Sequence, residues 1–339
     1  MNTHTARTIF TLIAAGCAAL LCSGCPPVEP PEDTETEILF DELWSTFDEN
    51  YSYFEHKDVD WDEVKSDFRP LFHDALTPSE FAEEAGAMIQ VLHDWHVWVQ
   101  DPVSDEYIGY DGEYEVNYPS TLMGSYTDGG YTTIGDDVIF HAWVGTGETK
   151  DIAYIVIDTL DTTKWESVSD GAIGNMFVAY QDAAGMIVDI RANSGGNETN
   201  AAKIASRLTD DAVVYGYTET RNGPNHDDFD PLVTKTLEPS GGMHYEGPVV
   251  CLVGQRCMSS AEWFTLMMRA CPNVTLMGDN TRGGVGQPGG VQPIERGELR
   301  GIAVDCVHRR HGANRGLRDL SRGVHSGGVE FRRYARLCA

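Results

Sequence analysis

The run CMSSAEWFTLMMRAC (257–271) places Ser259 and Ser260 where a strand-like segment, CLVG (251–254), gives way to a helix-like one. A serine at such a point has two ordinary uses. Ser259-x-x-Glu262 is a capping box, in which the hydroxyl satisfies backbone N–H groups of the first turn. Alternatively, the hydroxyl is a nucleophile held at a helix N-terminus. A second handover from strand to helix lies in GMIVDIRANSGGNETNAAKIASRL (185–208), with Gly195 and Gly196 at the turn. Paired glycines there leave backbone N–H groups open to an anion. Taken singly, these are a cap and a turn; together they make an oxygen nucleophile and an oxyanion hole, the two halves of an acyl-transfer site. A proton acceptor is also needed. An imidazole is one such group, since its ordinary pKa suits that transfer near neutral pH.

The flanking elements must position these groups. ILFDELWSTFDENYSYF (38–54) puts Leu39, Phe40, Leu43, Trp44 and Phe47 on one helical face. TPSEFAEEAGAMIQVL (77–92) opens with Thr77 as cap, Pro78 in the first helical position and Glu80 in the capping-box place. These patterns predict a helical cap domain over 37–100. Residues 101–150, rich in Tyr, Gly, Asp and Thr, predict short antiparallel strands such as those in YTTIGDDVIFHAWV (131–144). From 151 to 295 buried strands (IAYIVIDTL, GMIVDIRANSGG, GPVVCLVG, NVTLMGDNT) alternate with helices (ESVSDGAIGNMFVAYQDA, NETNAAKIASRLT, SSAEWFTLMMRAC). That alternation predicts an α/β core with mostly parallel pairing.

IVDIRANSGG, GPVVCLVGQRCMSSAEWF and LMGDNTRGG resemble, in order and spacing, the core motifs of the S41 peptidases, which include tail-specific and tricorn core proteases. FDELWSTFDENYSYF is similar to the helical cap of the family's bacterial branch, and LHDWHVWV to its L-x-D-G-H element. The likeness covers about residues 37–294. It implies a crotonase-like ββα core of the ClpP/crotonase type, with Ser259 as nucleophile. The amides of Ser260 and Gly195 match the oxyanion-hole donors, with Gly196 an adjacent candidate, and Glu262 is structural. The lysine of the tail-specific T-x-G-K element falls on Gly284 of Thr281-Arg282-Gly283-Gly284, which excludes a Ser/Lys dyad. Tricorn-like members use a histidine, and that position is His96, with His93 its nearest rival. Trp95 stands where the family has a small residue and is expected to crowd the base. The late glutamate that orients the histidine in tricorn-like members has no convincing match after Glu295, so the third catalytic residue is unassigned. Residues 101–150 are too few for a full PDZ domain. The implied function is a serine-type peptidase acting on peptides or unfolded proteins, without a cofactor. The alternative is a non-catalytic binding protein on the same fold.

The totals narrow the setting. A chain of 339 residues with 41% hydrophobic content can bury a sizeable core, and a net charge of -29 argues against nucleic acid as a partner. Residues 1–25 carry Arg7 and an apolar run from Ile9 to Leu21, too short for a transmembrane helix and suited to a secretory signal. Ser23-Gly24-Cys25 resembles the lipobox of bacterial lipoproteins, which implies lipidation at Cys25 and a membrane anchor in the cell envelope. Pro26, in place of the aspartate tied to inner-membrane retention, points to the periplasmic side of the outer membrane. Residues 26–36, rich in proline and acid, predict a disordered tether. After Cys25, five cysteines remain, an odd number that leaves at least one thiol unpaired. Their spacing fits no zinc site, and no HExxH occurs. The last 44 residues, 296–339, hold ten arginines against four acids, with no lysine or proline. Either a basic tail docking on acidic surface or a reading-frame shift in the source gene fits this composition. Neither predicts a well-ordered element there.

Overall fold

The computed structural model describes residues 33–73, 76–119, 122–127, 130–145, 150–284, 286–294 and 302–310, the last two stretches as backbone. Cys25 with its lipobox, the tether as far as residue 32, and residues 311–339 lie outside the described residues. Residues from 34 onward form one compact unit.

The amphipathic N-terminal sequence folds as the spacing predicts. Helix α1 (Glu35–Asn50) starts at a reciprocal cap: Glu37 N–H donates to Thr34 Oγ1 at 3.2 Å, and Thr34 N–H to Glu37 Oε2 at 2.8 Å. Its Leu39, Phe40, Leu43 and Phe47 are fully buried. Each such side chain stabilises the fold by roughly 1.5–3 kcal/mol relative to exposure. Helices α2 (Phe54–Lys57), α3 (Trp61–Phe68) and α4 (Pro78–Gln90) complete this layer. Trp44 and Trp61 lock α1 to α3, each indole N–H donating to the other residue's carbonyl, at 2.9 and 3.1 Å. The cap at Thr77 and Glu80 forms as expected, so α4 starts in register to bury Phe81, Ala85, Met88 and Ile89 against α1. A turn over 91–97 then leads into β1 (Trp98–Gln100), which pairs antiparallel with β2 (Tyr107–Gly109).

After the short helix α5 (Leu122–Tyr126), β3 (Thr132–Ile134) and β4 (Ile139–Val144) form the antiparallel edge of a six-stranded sheet. The rest of that sheet is parallel. It comprises β5 (Ile152–Ile157), β6 (Gly185–Asp189), β9 (Val249–Val253) and β10 (Val274–Gly278), in the order β10-β9-β6-β5-β4-β3. Every residue of β5, β6 and β9 is buried. Apolar runs without alternation are what a parallel sheet covered on both faces requires. On one face lies a cluster that includes Ile173, Phe177, Ile204, Phe264 and Met268, from α7 (Asp170–Ala179), α8 (Glu198–Ala205) and α9 (Ser260–Ala270). The other face packs Leu122, Met123, Ala142, Tyr154, Ile187 and Leu252. The short α6 (Thr162–Trp165) follows β5. The expected mixed α/β core with helices ahead of it is the architecture found.

Two elements depart from the sequence reading. A two-stranded hairpin, β7 (Val213–Thr218) with β8 (Val233–Leu237), lies between α8 and β9, where no strand pair is predicted. Its loop reaches the helical layer: Arg221 donates to the carbonyls of Tyr51 at 2.5 Å and Asp48 at 2.6 Å, at the end of α1. The second departure corrects the expectation for the basic tail. Strand β12 (Ile302–Arg310) runs between β11 (Gly286–Ile294) and β1, in a sheet ordered β11-β12-β1-β2. The arginine-rich segment therefore contributes an inner strand as far as residue 310, because backbone pairing needs no apolar periodicity of the strand itself.

Candidate active site

Strands β6 and β9 are parallel neighbours, so the turns that follow them emerge at the same edge of the sheet. One carries Gly195 and Gly196, the other Ser259 and Ser260. Ser259 adopts φ 56° and ψ −123°, a conformation that favours glycine and costs a side-chain-bearing residue about 1–3 kcal/mol. The surroundings hold it there. Its N–H donates to Gly284 O at 3.2 Å and to Glu262 Oε2 at 3.1 Å. The N–H of Glu262 is taken by the backbone carbonyl of Ser259 at 2.9 Å, so it does not depend on the hydroxyl for a partner. Ser259 and Glu262 thus begin α9 as a capping pair in which the backbone strain sits at the serine and the Glu262 carboxylate holds its N–H.

Gly195 and Gly196 stand directly against this turn. A Cβ on Gly195, whose φ is +105°, would come within 2.6 Å of Met258 O, 3.0 Å of Ser259 Cβ and 3.2 Å of Ser260 N. Only glycine permits the approach. The hydroxyl of Ser260 donates to Gly196 O at 2.6 Å, which ties the two turns together. The amide of Gly195, the expected oxyanion donor, is engaged by Asn193 Oδ1 at 2.8 Å. Gly196, with φ +137°, has an N–H without an acceptor among the described residues. The Gly195 amide would have to leave Asn193 before it could donate to any other acceptor.

His96 comes from the other sheet, in the turn just before β1. Its side chain is only 10% exposed. A Cβ on Gly284 would lie 3.4 Å from His96 Cε1 and 3.5 Å from its Nδ1. A side chain at position 284 would thus meet the imidazole at ordinary contact distance, and the Gly284 carbonyl accepts the Ser259 N–H; among the described residues no hydrogen bond joins His96 to the Ser259 hydroxyl. His93 is exposed, its ring against Tyr110, and is not placed to act. The Trp95 ring packs 4.0 Å from the Arg282 guanidinium and edge-on to Tyr110.

Burial pushes the His96 pKa below its ordinary 6.5, opposed by Asp94 and reinforced by Lys57. The neutral, proton-accepting form therefore prevails at neutral pH. His96 Nδ1 is buried without a hydrogen-bond partner among the described residues, 3.8 Å from Asp94 Oδ1. Asp94 is itself 5% exposed and fixed from two sides: Oδ1 accepts the His96 N–H at 3.0 Å, and Oδ2 accepts the Tyr51 hydroxyl at 2.9 Å. Burial and Asp94 hold the Tyr51 phenol well above its ordinary pKa, so it remains a donor. Asp94 lies two residues ahead of His96 in the same sequence element, and its carboxylate sits near the ring at ion-pair rather than hydrogen-bond distance.

Glu262 has a larger part than a cap. It is fully buried, and besides Ser259 N–H its carboxylate receives the Thr281 hydroxyl at 2.7 Å and Gly283 N–H at 2.9 Å. It fastens the 281–284 loop, which touches His96, to the start of α9. Burial raises its pKa to about 7 against the pull of these bonds. Because that folded value exceeds the ordinary 4.5, this group's contribution to stability is greatest below about pH 4.5 and declines as pH rises through 7. Thermal melts of wild type and Glu262→Gln between pH 5 and 8 check this: the downward slope attributable to the carboxyl should be absent from the variant.

Comparison with known proteins agrees with this geometry. Residues 151–313 match the sequence model of peptidase family S41, and residues 32–89 that of the tricorn protease C1 domain. The first match runs into the arginine-rich tail. No curated protein matches the chain by sequence. Among solved structures, a candidate peptidase from Parabacteroides merdae ATCC 43184 is similar at 27% identity and a TM-score of 0.72, covering 82% of this chain and 84% of that one. Mature CPAF complexed with lactacystin shares the fold at 11% identity and a TM-score of 0.57, covering 80% of this chain and 89% of that one.

Proposed function

We propose, from the match of residues 151–313 to the model of peptidase family S41, that this chain is a serine peptidase with Ser259 as nucleophile and His96 as general base. The observation that carries the reading is that Ser259, strained and pinned by its backbone, lies against Gly195 and bonds through its N–H to Gly284, the residue beside the buried His96. In the acylation step His96 takes the Ser259 proton as Oγ bonds to the substrate carbonyl carbon. The oxyanion rests on the Ser260 amide and the glycine turn, and the imidazolium then protonates the leaving amine. Water repeats the sequence to release the acid. Asp94 orients the imidazole and stabilises its charged form, and Tyr51 holds Asp94 in place. The substrate is a peptide or unfolded protein segment, and no cofactor takes part. Incubation of the folded protein with a fluorophosphonate probe and a quenched-fluorescence peptide library tests this. Labelling with turnover supports it; neither, from a protein with a sharp melting transition, refutes it in favour of a binding protein on the same fold.

Asp94→Asn separates orientation from mere packing. Because the Asp94 charge raises the His96 pKa, its loss should move the acid limb of kcat/KM to lower pH while the plateau falls roughly 10²- to 10⁴-fold. A stability defect alone would lower the plateau without moving the limb.

The location follows from residues 1–25: we place the protein in the cell envelope, lipid-anchored at Cys25 on the periplasmic side of the outer membrane. Cells fed labelled palmitate should yield labelled protein, and Cys25→Ala should yield none. An unlabelled wild-type protein overturns the anchor and leaves the peptidase reading untouched.

A further inference from the structure

The 281–284 loop contains one charged side chain that the proposed mechanism does not use. Arg282 lies between two aromatic rings, its guanidinium carbon 4.0 Å from the Trp95 centroid and 3.8 Å from that of Tyr114. Its Nε is buried without a hydrogen-bond partner, and its side chain makes no ion pair among the described residues. An arginine stacked on aromatic faces keeps its planar edge of N–H donors for a ligand in that plane, the geometry that suits a carboxylate.

The clamp is built rather than incidental. Arg282 N–H donates to Cys257 O at 2.9 Å, and the residues on either side of it are tied to Glu262. Tyr114 belongs to an irregular stretch anchored on the end of β9, where Glu115 N–H donates to Gln255 Oε1 at 2.9 Å and Asn117 Nδ2 to Val253 O at 3.1 Å. The buried Arg191, paired with Asp189 at 2.7 Å, holds the same stretch through Asn117 O at 2.8 Å. Trp95 precedes the base, and Arg282 lies two residues before Gly284, whose carbonyl accepts the Ser259 N–H. A cation held on the loop that bonds to the Ser259 N–H, in a chain of net charge -29, is a local reversal of the protein's field.

We infer that Arg282, clamped by Trp95 and Tyr114, is a substrate-carboxylate subsite of the active centre. The group it receives is an acidic side chain or the terminal carboxylate of the peptide. This inference rests on the peptidase reading for the identity of the ligand as a peptide.

The test is equilibrium binding to the Ser259→Ala protein, which does not require turnover. Fluorescent peptides of one sequence are compared as free acid and C-terminal amide, and with Glu or Gln at each position. A charge-assisted fork is expected to give a 10- to 100-fold tighter Kd for at least one carboxylate form. Dependence on the terminal group identifies the chain end as the ligand; dependence on one Glu identifies a side chain. The preference should vanish in Ser259→Ala/Arg282→Met, which keeps an apolar stem between the rings. Should that variant fail to fold, Arg282→Lys retains charge without the planar fork, and the preference should fall at least several-fold. Equal affinity of all forms for the Arg282 protein, or a preference that survives replacement of Arg282, overturns the inference. Peptide turnover by wild type with no carboxylate preference removes the subsite and leaves the peptidase. Carboxylate-dependent binding without any wild-type turnover keeps the subsite and removes the peptidase.

Discussion

Ser259→Ala should abolish fluorophosphonate labelling and lower peptide turnover by roughly 10³- to 10⁶-fold, while leaving a normal cooperative melt. The reason lies in the backbone around the residue. The capping function at the start of α9 is carried by Glu262, which accepts Ser259 N–H at 3.1 Å, and alanine preserves that bond. Ser259→Gly sharpens the contrast. At φ 56° and ψ −123° glycine relieves conformational strain, so this variant should be more stable than wild type by about 1 kcal/mol and equally inactive. His96→Ala should match the loss of turnover. Ser260→Ala should not: it loses the 2.6 Å bond to Gly196 O, worth about 1 kcal/mol, but keeps the backbone amide. Calorimetry alongside probe labelling reads both quantities in the same samples. If Ser260→Ala is the silent variant and Ser259→Ala labels normally, the nucleophile is the second serine of the pair.

Ending the chain at Glu295 should produce an aggregated protein or one without a sharp melting transition. This is the reverse of what the composition of the tail implies. Strand β12 has a neighbour on each side, so its removal leaves β11 without a partner and exposes the backbone edge of β1. Unpaired edges of that kind template association between chains. Ending instead after His311 spares all of β12 and should preserve the melt, which isolates the strand as the cause. A truncation at 295 that melts like the full chain would show that β12 does not support the fold.

The physical reach of each signal explains what could be read from the sequence. The buried strands β5, β6 and β9 were legible because a covered parallel strand is written in consecutive apolar residues. The caps at Thr77 and Ser259 were legible because their partners lie three residues away. The hairpin β7–β8 was not, since Val214 and Val233 are exposed and its sequence lacks a clear alternating core face. Strand β12 escaped notice for a related reason: its partner β1 is only three residues long and lies far away in the chain. At the site, the serine and histidine were recognised by resemblance, whereas the roles of Asp94 and Glu262 depend on atoms meeting in three dimensions. Asp94 stands out only once the structure brings the Tyr51 hydroxyl, from the end of α1, to one carboxylate oxygen and the His96 ring to within 3.8 Å of the other.

The pairing of β1 with β12 also sets an order of events in time. The turn that bears His96 leads straight into β1, and Trp98 waits for Asp305, Val99 for Val304 and Gln100 for Ala303. At typical synthesis rates of 5–20 residues per second, the base-bearing segment leaves the ribosome roughly ten to forty seconds before its partner exists. The nucleophile turn and the glycine turn, both on the parallel sheet, are complete earlier. A nascent chain can therefore bring the Ser259 turn and the glycine turn together before the His96 turn is seated. Closing such a long-range pair is intrinsically slow, so the fold itself delays assembly of the candidate site until β12 has been made.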